Sequence, residues 1–91
     1  MAVFVEIPTV FQSYTNGVKK VSATGSTVGE VLVDLDNRYR GIRARVIGDD
    51  GALRRFVNIY VNDEDVRGFD LLDTEVTDGD SILILPAVAG G

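Results

Sequence analysis

The sequence closes on Gly90 and Gly91 behind Leu85, Pro86, Ala87, Val88 and Ala89, which makes the Gly91 carboxylate the group best placed for chemistry. Glycine has no Cβ, so a Gly-Gly segment can lie extended in a slot too narrow for other residues, its backbone pressed against another protein's catalytic groups. Such a tail is a substrate. The apolar run and proline before it anchor its root and leave about five residues, a reach of roughly 17 Å at the extended-chain rise. The expected division is a body, 1–85, and a flexible tail, 86–91.

Other chemistry is thinly supplied. The sequence has no histidine and no cysteine, which removes the usual general base, thiolate nucleophiles, disulfides and cysteine-ligated zinc. Asp63, Glu64 and Asp65 could offer oxygens to calcium. The later acidic run from Asp73 to Asp80 fails the EF-hand spacing, with Thr77 at the fifth loop position and Ile84 where a bidentate glutamate belongs. No metal ligands are assigned. Arg38, Arg40, Arg43 and Arg45 form a basic cluster that is either a contact for phosphate or an acidic partner, or a solvated face. A self-contained enzyme is not expected.

The 91 residues, 45% hydrophobic and 25% charged, suit one small domain with one core. Fourteen Asp and Glu against nine Lys and Arg give a net charge of −5, which argues against a nucleic-acid binder that must neutralise phosphates and favours a basic protein partner. No apolar run reaches the length of a membrane span, and the first ten residues lack a basic flank and cleavage site, so a cytoplasmic protein is expected.

The elements that must position the tail follow from local signals. Val3 to Ile7 reads as an opening strand ending at Pro8, with Val3, Val5 and Ile7 on one face. Asn16-Gly17 suits the positive φ angles of a tight hairpin turn, so a second strand is expected over Val18 to Ala23. Thr27 and Glu30 form a capping box, and Val28, Val31, Leu32, Leu35 and Tyr39 make one helical stripe ending near Gly41. Phe56 to Val61 has the strongest strand composition and is expected at the sheet's centre. A polar turn at Asn62 to Asp65 leads to a short strand near Val66, and Leu71-Leu72 offers a small apolar plug. Asp78-Gly79-Asp80 turns into a last strand, Ser81 to Leu85. The helical crossover after the hairpin implies parallel neighbours. These elements predict an α+β roll, a mixed sheet of four to five strands with one main helix on one face. Ile82 and Ile84 then face the helix, while Leu83 and Leu85 point outward as a docking surface.

On the Asn16-Gly17 hairpin, the Thr27 to Tyr39 helix, the Val61-Asn62 strand end, Asp78-Gly79-Asp80 and the tail from Pro86 through Val88-Ala89-Gly90-Gly91, the chain resembles the ubiquitin-like sulfur carriers of the ThiS, MoaD and CysO group. Ile7-Pro8-Thr9, the Val57 to Arg67 segment and the tail spelling look most like the actinobacterial CysO type. Ala87 after Pro86 departs from the double proline of many molybdopterin-synthase small subunits.

The resemblance implies a β-grasp fold and a carrier that is not an enzyme but a co-substrate of its partners. An E1-like enzyme would adenylate Gly91 with ATP, and a sulfur donor would leave a thiocarboxylate there. The acceptor implied is a pyridoxal-phosphate-dependent cysteine synthase, and a zinc peptidase would release the product after Gly91. ATP, pyridoxal phosphate and zinc would belong to those partners, since this chain has no Walker-type loop and binds no cofactor itself. Leu83, Leu85, Pro86, Ala87, Val88, Ala89 and Gly90 would form the docking surface and leash, on a protein that is a monomer when alone. Sulfur supply for thiosugars and other secondary metabolites, molybdopterin or thiamine stays open. So does a ubiquitin-like modifier joined to lysines through Gly91, or a binding module with an inert tail.

Overall fold

The computed structural model describes residues 2–86. Its sheet consists of β1 (Val3–Glu6), β2 (Lys20–Ala23), β3 (Val57–Val61), β4 (Glu64–Asp65) and β5 (Ser81–Pro86), in the order β2-β1-β5-β3-β4. Two helices, α1 (Val28–Arg38) and α2 (Ile42–Val46), join it. This is the α+β arrangement expected, with five strands and one main helix.

α1 begins where its sequence dictates. The Thr27 hydroxyl accepts from the Glu30 amide at 3.2 Å, and the Glu30 carboxylate reaches back to accept from the Ser26 amide at 2.9 Å, one residue earlier than the expected Thr27. Val28, Val31, Leu32 and Leu35 are buried along one stripe, against Val3, Val5, Ile59, Ile82 and Ile84 from the sheet. Tyr39 caps the helix and is half-buried. Gly25 lets the chain pass tightly under this helix: a Cβ there would lie 2.8 Å from the Val31 nitrogen.

Several expectations are corrected. Asn16 (φ 56°) and Gly17 (φ 82°) do take positive φ, but they end a seven-residue 3-10 segment, Thr9–Thr15, instead of joining two strands directly. The second strand consequently starts at Lys20. The central strand is β5, and β3 lies second from the edge, because β5 pairs with β1 in parallel and with β3 in antiparallel register. Its inward Ile82 and Ile84 are fully buried, as suits a strand at the centre of the sheet. The one parallel pair among the described strands is β1 with β5, so the helical crossover does not make β2 and β3 neighbours. Finally, Gly41 (φ 98°) is left-handed as expected, but α2 follows it at once and buries Ile42 and Val46. Of the Leu71-Leu72 plug, only Leu72 packs on the core, while Leu71 is exposed.

Asp80 organises the turn into β5. Its carboxylate accepts from the Asn62 side-chain amide at 2.9 Å and from the Thr77 backbone amide at 2.8 Å, and these bonds hold its pKa below the usual carboxylate value. Because the folded pKa is depressed, this contribution is present above the unfolded value near 4 and is lost as pH falls through the folded one.

Two outcomes are expected from unfolding experiments. Gly25→Ala should lower the denaturant midpoint, at a cost above about 1 kcal/mol, since the new methyl meets helix backbone. Asp80→Asn should flatten the acid limb of the stability curve below about pH 4, and an unchanged limb would show that the clasp contributes nothing.

Candidate functional site

Of the residues expected to form the site, Ala87, Val88, Ala89, Gly90 and Gly91 lie outside the described residues. The structure places the other three, Leu83, Leu85 and Pro86, on β5. Strand alternation sends Ile82 and Ile84 into the core and turns Leu83 and Leu85 to the opposite sheet face, as expected. Leu83 is half-buried and Leu85 is 46% exposed. The pairing register builds their surroundings. Leu83 lies between Glu6 and Tyr60, and Leu85 sits opposite Asn58. Phe4, 42% exposed, stands beside Ser81, with the Lys20 ammonium 5.6 Å from its ring centre. Phe4, Leu83, Tyr60 and Leu85 thus give an apolar patch on the face away from α1, edged by Glu6 and Lys20.

The strand reaches the tail's root at a notch. β1 ends at Glu6 and the chain leaves the sheet at Pro8, which has no N–H with which to continue the parallel ladder. Beyond Leu83, β5 is therefore flanked by β3 alone. A groove of about 520 Å³ opens on the vacated side, lined by Ile7, Pro8, Gln12, Lys19, Leu83 and Leu85. The strand runs through Pro86, which pairs with Val57, one residue past the expected boundary between body and tail.

Arg67 supports this root, a role the sequence reading did not assign. Its Nη2 donates to the carbonyls of Arg54 (3.0 Å) and Val57 (2.9 Å), and its Nε donates to the Asn58 side chain at 3.3 Å. Its own backbone amide donates to the Asp65 carboxylate at 2.9 Å. One guanidinium thus fixes the residues that hold Pro86 and Leu85. The sequence signal was only an arginine following an acidic turn.

The other candidates disperse. Arg38 pairs with Asp34 at 3.3 Å and donates to the Ser22 carbonyl, and Arg45 donates to the Tyr14 hydroxyl with its guanidinium over that ring. The Arg43 Nε is buried without a partner, while Asp36 accepts from the backbone amides of Gly41 and Arg43. Asp63, Glu64 and Asp65 lie on the tight turn and strand of β4, and no group of three among the described residues converges to hold a metal ion. No helix among those residues is long and apolar enough to cross a membrane.

Comparison with known proteins gives the following likenesses. The model of the ThiS family matches residues 5–91. The chain is 55% identical over 93 aligned positions to the sulfur carrier protein CysO of Mycobacterium tuberculosis, covering 100% of both chains. It superposes on a chain of the Amycolatopsis orientalis BexX/CysO complex with a TM-score of 0.92 and 52% identity, covering 98% of this chain and 99% of that one. Small archaeal modifier protein 3 of Haloferax volcanii is 39% identical over 66 residues, 72% of this chain and 71% of that protein.

The two faces of β5 should separate on mutation. Ile84→Ala is expected to cost about 2–5 kcal/mol of stability and Leu85→Ser less than about 1 kcal/mol. Equal losses in denaturant titration would mean that Leu85 is a core residue.

Proposed function

The chain belongs to the ThiS family, and from that membership we propose that it is a sulfur carrier, a protein co-substrate whose Gly91 carboxylate is converted to a thiocarboxylate. The observation that carries the reading is end-to-end identity of 55% with a protein named as a sulfur carrier, on a fold whose central strand runs directly into the Gly-Gly tail.

The chemistry proceeds in two balanced steps on a partner. A carboxylate is a poor electrophile, so a Gly91 oxygen attacks the α-phosphorus of ATP, forming the acyl adenylate and releasing pyrophosphate. Hydrosulfide then adds at the carbonyl carbon, the C–O bond to AMP breaks, and loss of the S–H proton leaves the thiocarboxylate. The partner supplies the nucleotide site and is of the E1-like class. Gly90 and Ala89 form the thin leash that threads the carboxylate into that site, and Ala87, Val88, Pro86, Leu83 and Leu85 dock its root.

The thiocarboxylate then serves as a soft nucleophile for an acceptor enzyme. A cysteine synthase using pyridoxal phosphate is the acceptor we favour, followed by a zinc peptidase that frees the amino acid from Gly91. The full-length likeness to CysO supports this choice over a protein modifier, because the likeness to the archaeal modifier is weaker and spans less of the chain. The existence of a related chain in a complex with BexX supports docking on partner proteins generally.

Gly91→Ala, or one residue added after Gly91, should abolish thiocarboxylate formation by a competent activating enzyme, since either displaces the reacting carboxylate. Normal yield from both variants would refute the reading. Leu85→Glu should keep the fold and raise the activating enzyme's KM for the carrier about tenfold or more, with ATP affinity unchanged.

A further inference from the structure

The net charge of −5 conceals a strong separation along the axis of β5. At the strand's start, Asp78 accepts from the Ala2 amide and Asp80 from Asn62, and the surrounding turns carry Glu64, Asp70, Asp73 and Glu75. That end is acidic. At the strand's finish cations gather at the root of the tail. Lys19 lines the groove beside Leu85, and Arg54 and Arg55 precede the Val57 that pairs with Pro86. Arg67 reaches the same place through the Arg54 and Val57 carbonyls.

None of these cations forms an ion pair among the described residues, although Glu6 lines the groove with Lys19, and Asp49 and Asp50 line a pocket with Arg54 and Arg55. Arg54 donates to the Ala44 carbonyl and Arg67 to carbonyls and an amide, so neutral oxygens fix their guanidinium groups. Arg55 lies over the ring of Phe56, which is 65% exposed, at 5.6 Å from its centre. Among the described residues the single ion pair is Arg38 with Asp34, away from this end. Guanidinium groups already fixed by neutral oxygens need little reorganisation when an opposite charge arrives.

We infer that the residues around the root of the tail, Lys19, Arg54, Arg55 and Arg67, form a cationic collar that docks on an acidic rim around the tail-entry site of the activating enzyme. The inference rests on the proposed function, whose partner it describes further. It also revises the expectation of a basic partner, which followed from net charge alone. The acidic far pole turns away from such a rim while the collar and tail turn towards it, so the charge separation orients the approach before the apolar patch makes contact. Within a few Å of the surface the collar acts almost unscreened, since the Debye length is about 8 Å at 0.15 M salt.

The test uses the full chain, ATP, a sulfide source and the E1-like activating enzyme from the same genome, with thiocarboxylate formation followed by mass at several salt concentrations. The double variant Arg55→Glu, Lys19→Glu should reduce kcat/KM for the carrier about fivefold or more at low salt and lessen its salt dependence, with kcat and the KM for ATP unchanged. Asp73→Lys, at the opposite pole, should leave kcat/KM within about twofold of the wild type. An unchanged double variant would overturn the collar. So would an Asp73→Lys gain as large as the double variant's loss, which would indicate net charge without orientation, or a raised KM for ATP, which would place the cations on the nucleotide. Absence of any wild-type product would instead overturn the proposed function.

Discussion

The structure depends on how β5 is held. It is clamped by β1 on one side in parallel and β3 on the other in antiparallel register, and its inward Ile82 and Ile84 seal the core under α1. A strand fixed on both edges cannot slip by one residue without moving its core side chains to solvent. The direction and register of the chain at Pro86 are therefore set by the whole core. A carrier needs this property, because a thin tail finds a distant reacting atom only if its root is rigid.

The same clamp is released on one side at the right place. Pro8 ends the parallel ladder, and Pro86 offers no donor to a further strand, so the groove beside Leu85 does not present a regular edge for unspecific strand pairing. On the other side β3 stays paired to the last described residue, with Arg67 bracing it through two carbonyls. Rigidity on one edge and access on the other let a partner approach the root without unfolding the body.

What could be read in the sequence was mostly local. The Thr27 cap, the helix stripe and the alternation of Ile82 to Leu85 each arise from neighbours a few residues apart, and each stands in the fold, with the Glu30 side chain reaching Ser26 in place of Thr27. β3 was placed at the centre because its β-branched composition is strong, yet strand order is decided by pairing between distant segments. α2 escaped notice because five residues, Ile42–Val46, carry too little periodicity to stand apart from the basic residues among them. Of the candidate site, the alternation of Leu83 and Leu85 was legible, whereas the bracing by Arg67 was not, since it joins residues of a loop and a strand ten or more positions apart. The charge separation was hidden in the same way, by a topology that gathers Lys19, Arg55 and Arg67 at one end.

The central claim is that Gly91 carries sulfur. The most direct measurement is the intact mass of the protein from its native cells, taken again after incubation with ATP, sulfide and the activating enzyme, with fragmentation to locate any change. The expected result is a gain equal to the mass difference between one sulfur and one oxygen, confined to Gly91. An unmodified Gly91 in the presence of an activator proven competent on another carrier, together with Gly91-lysine isopeptides in the same extract, would contradict it and identify a protein modifier.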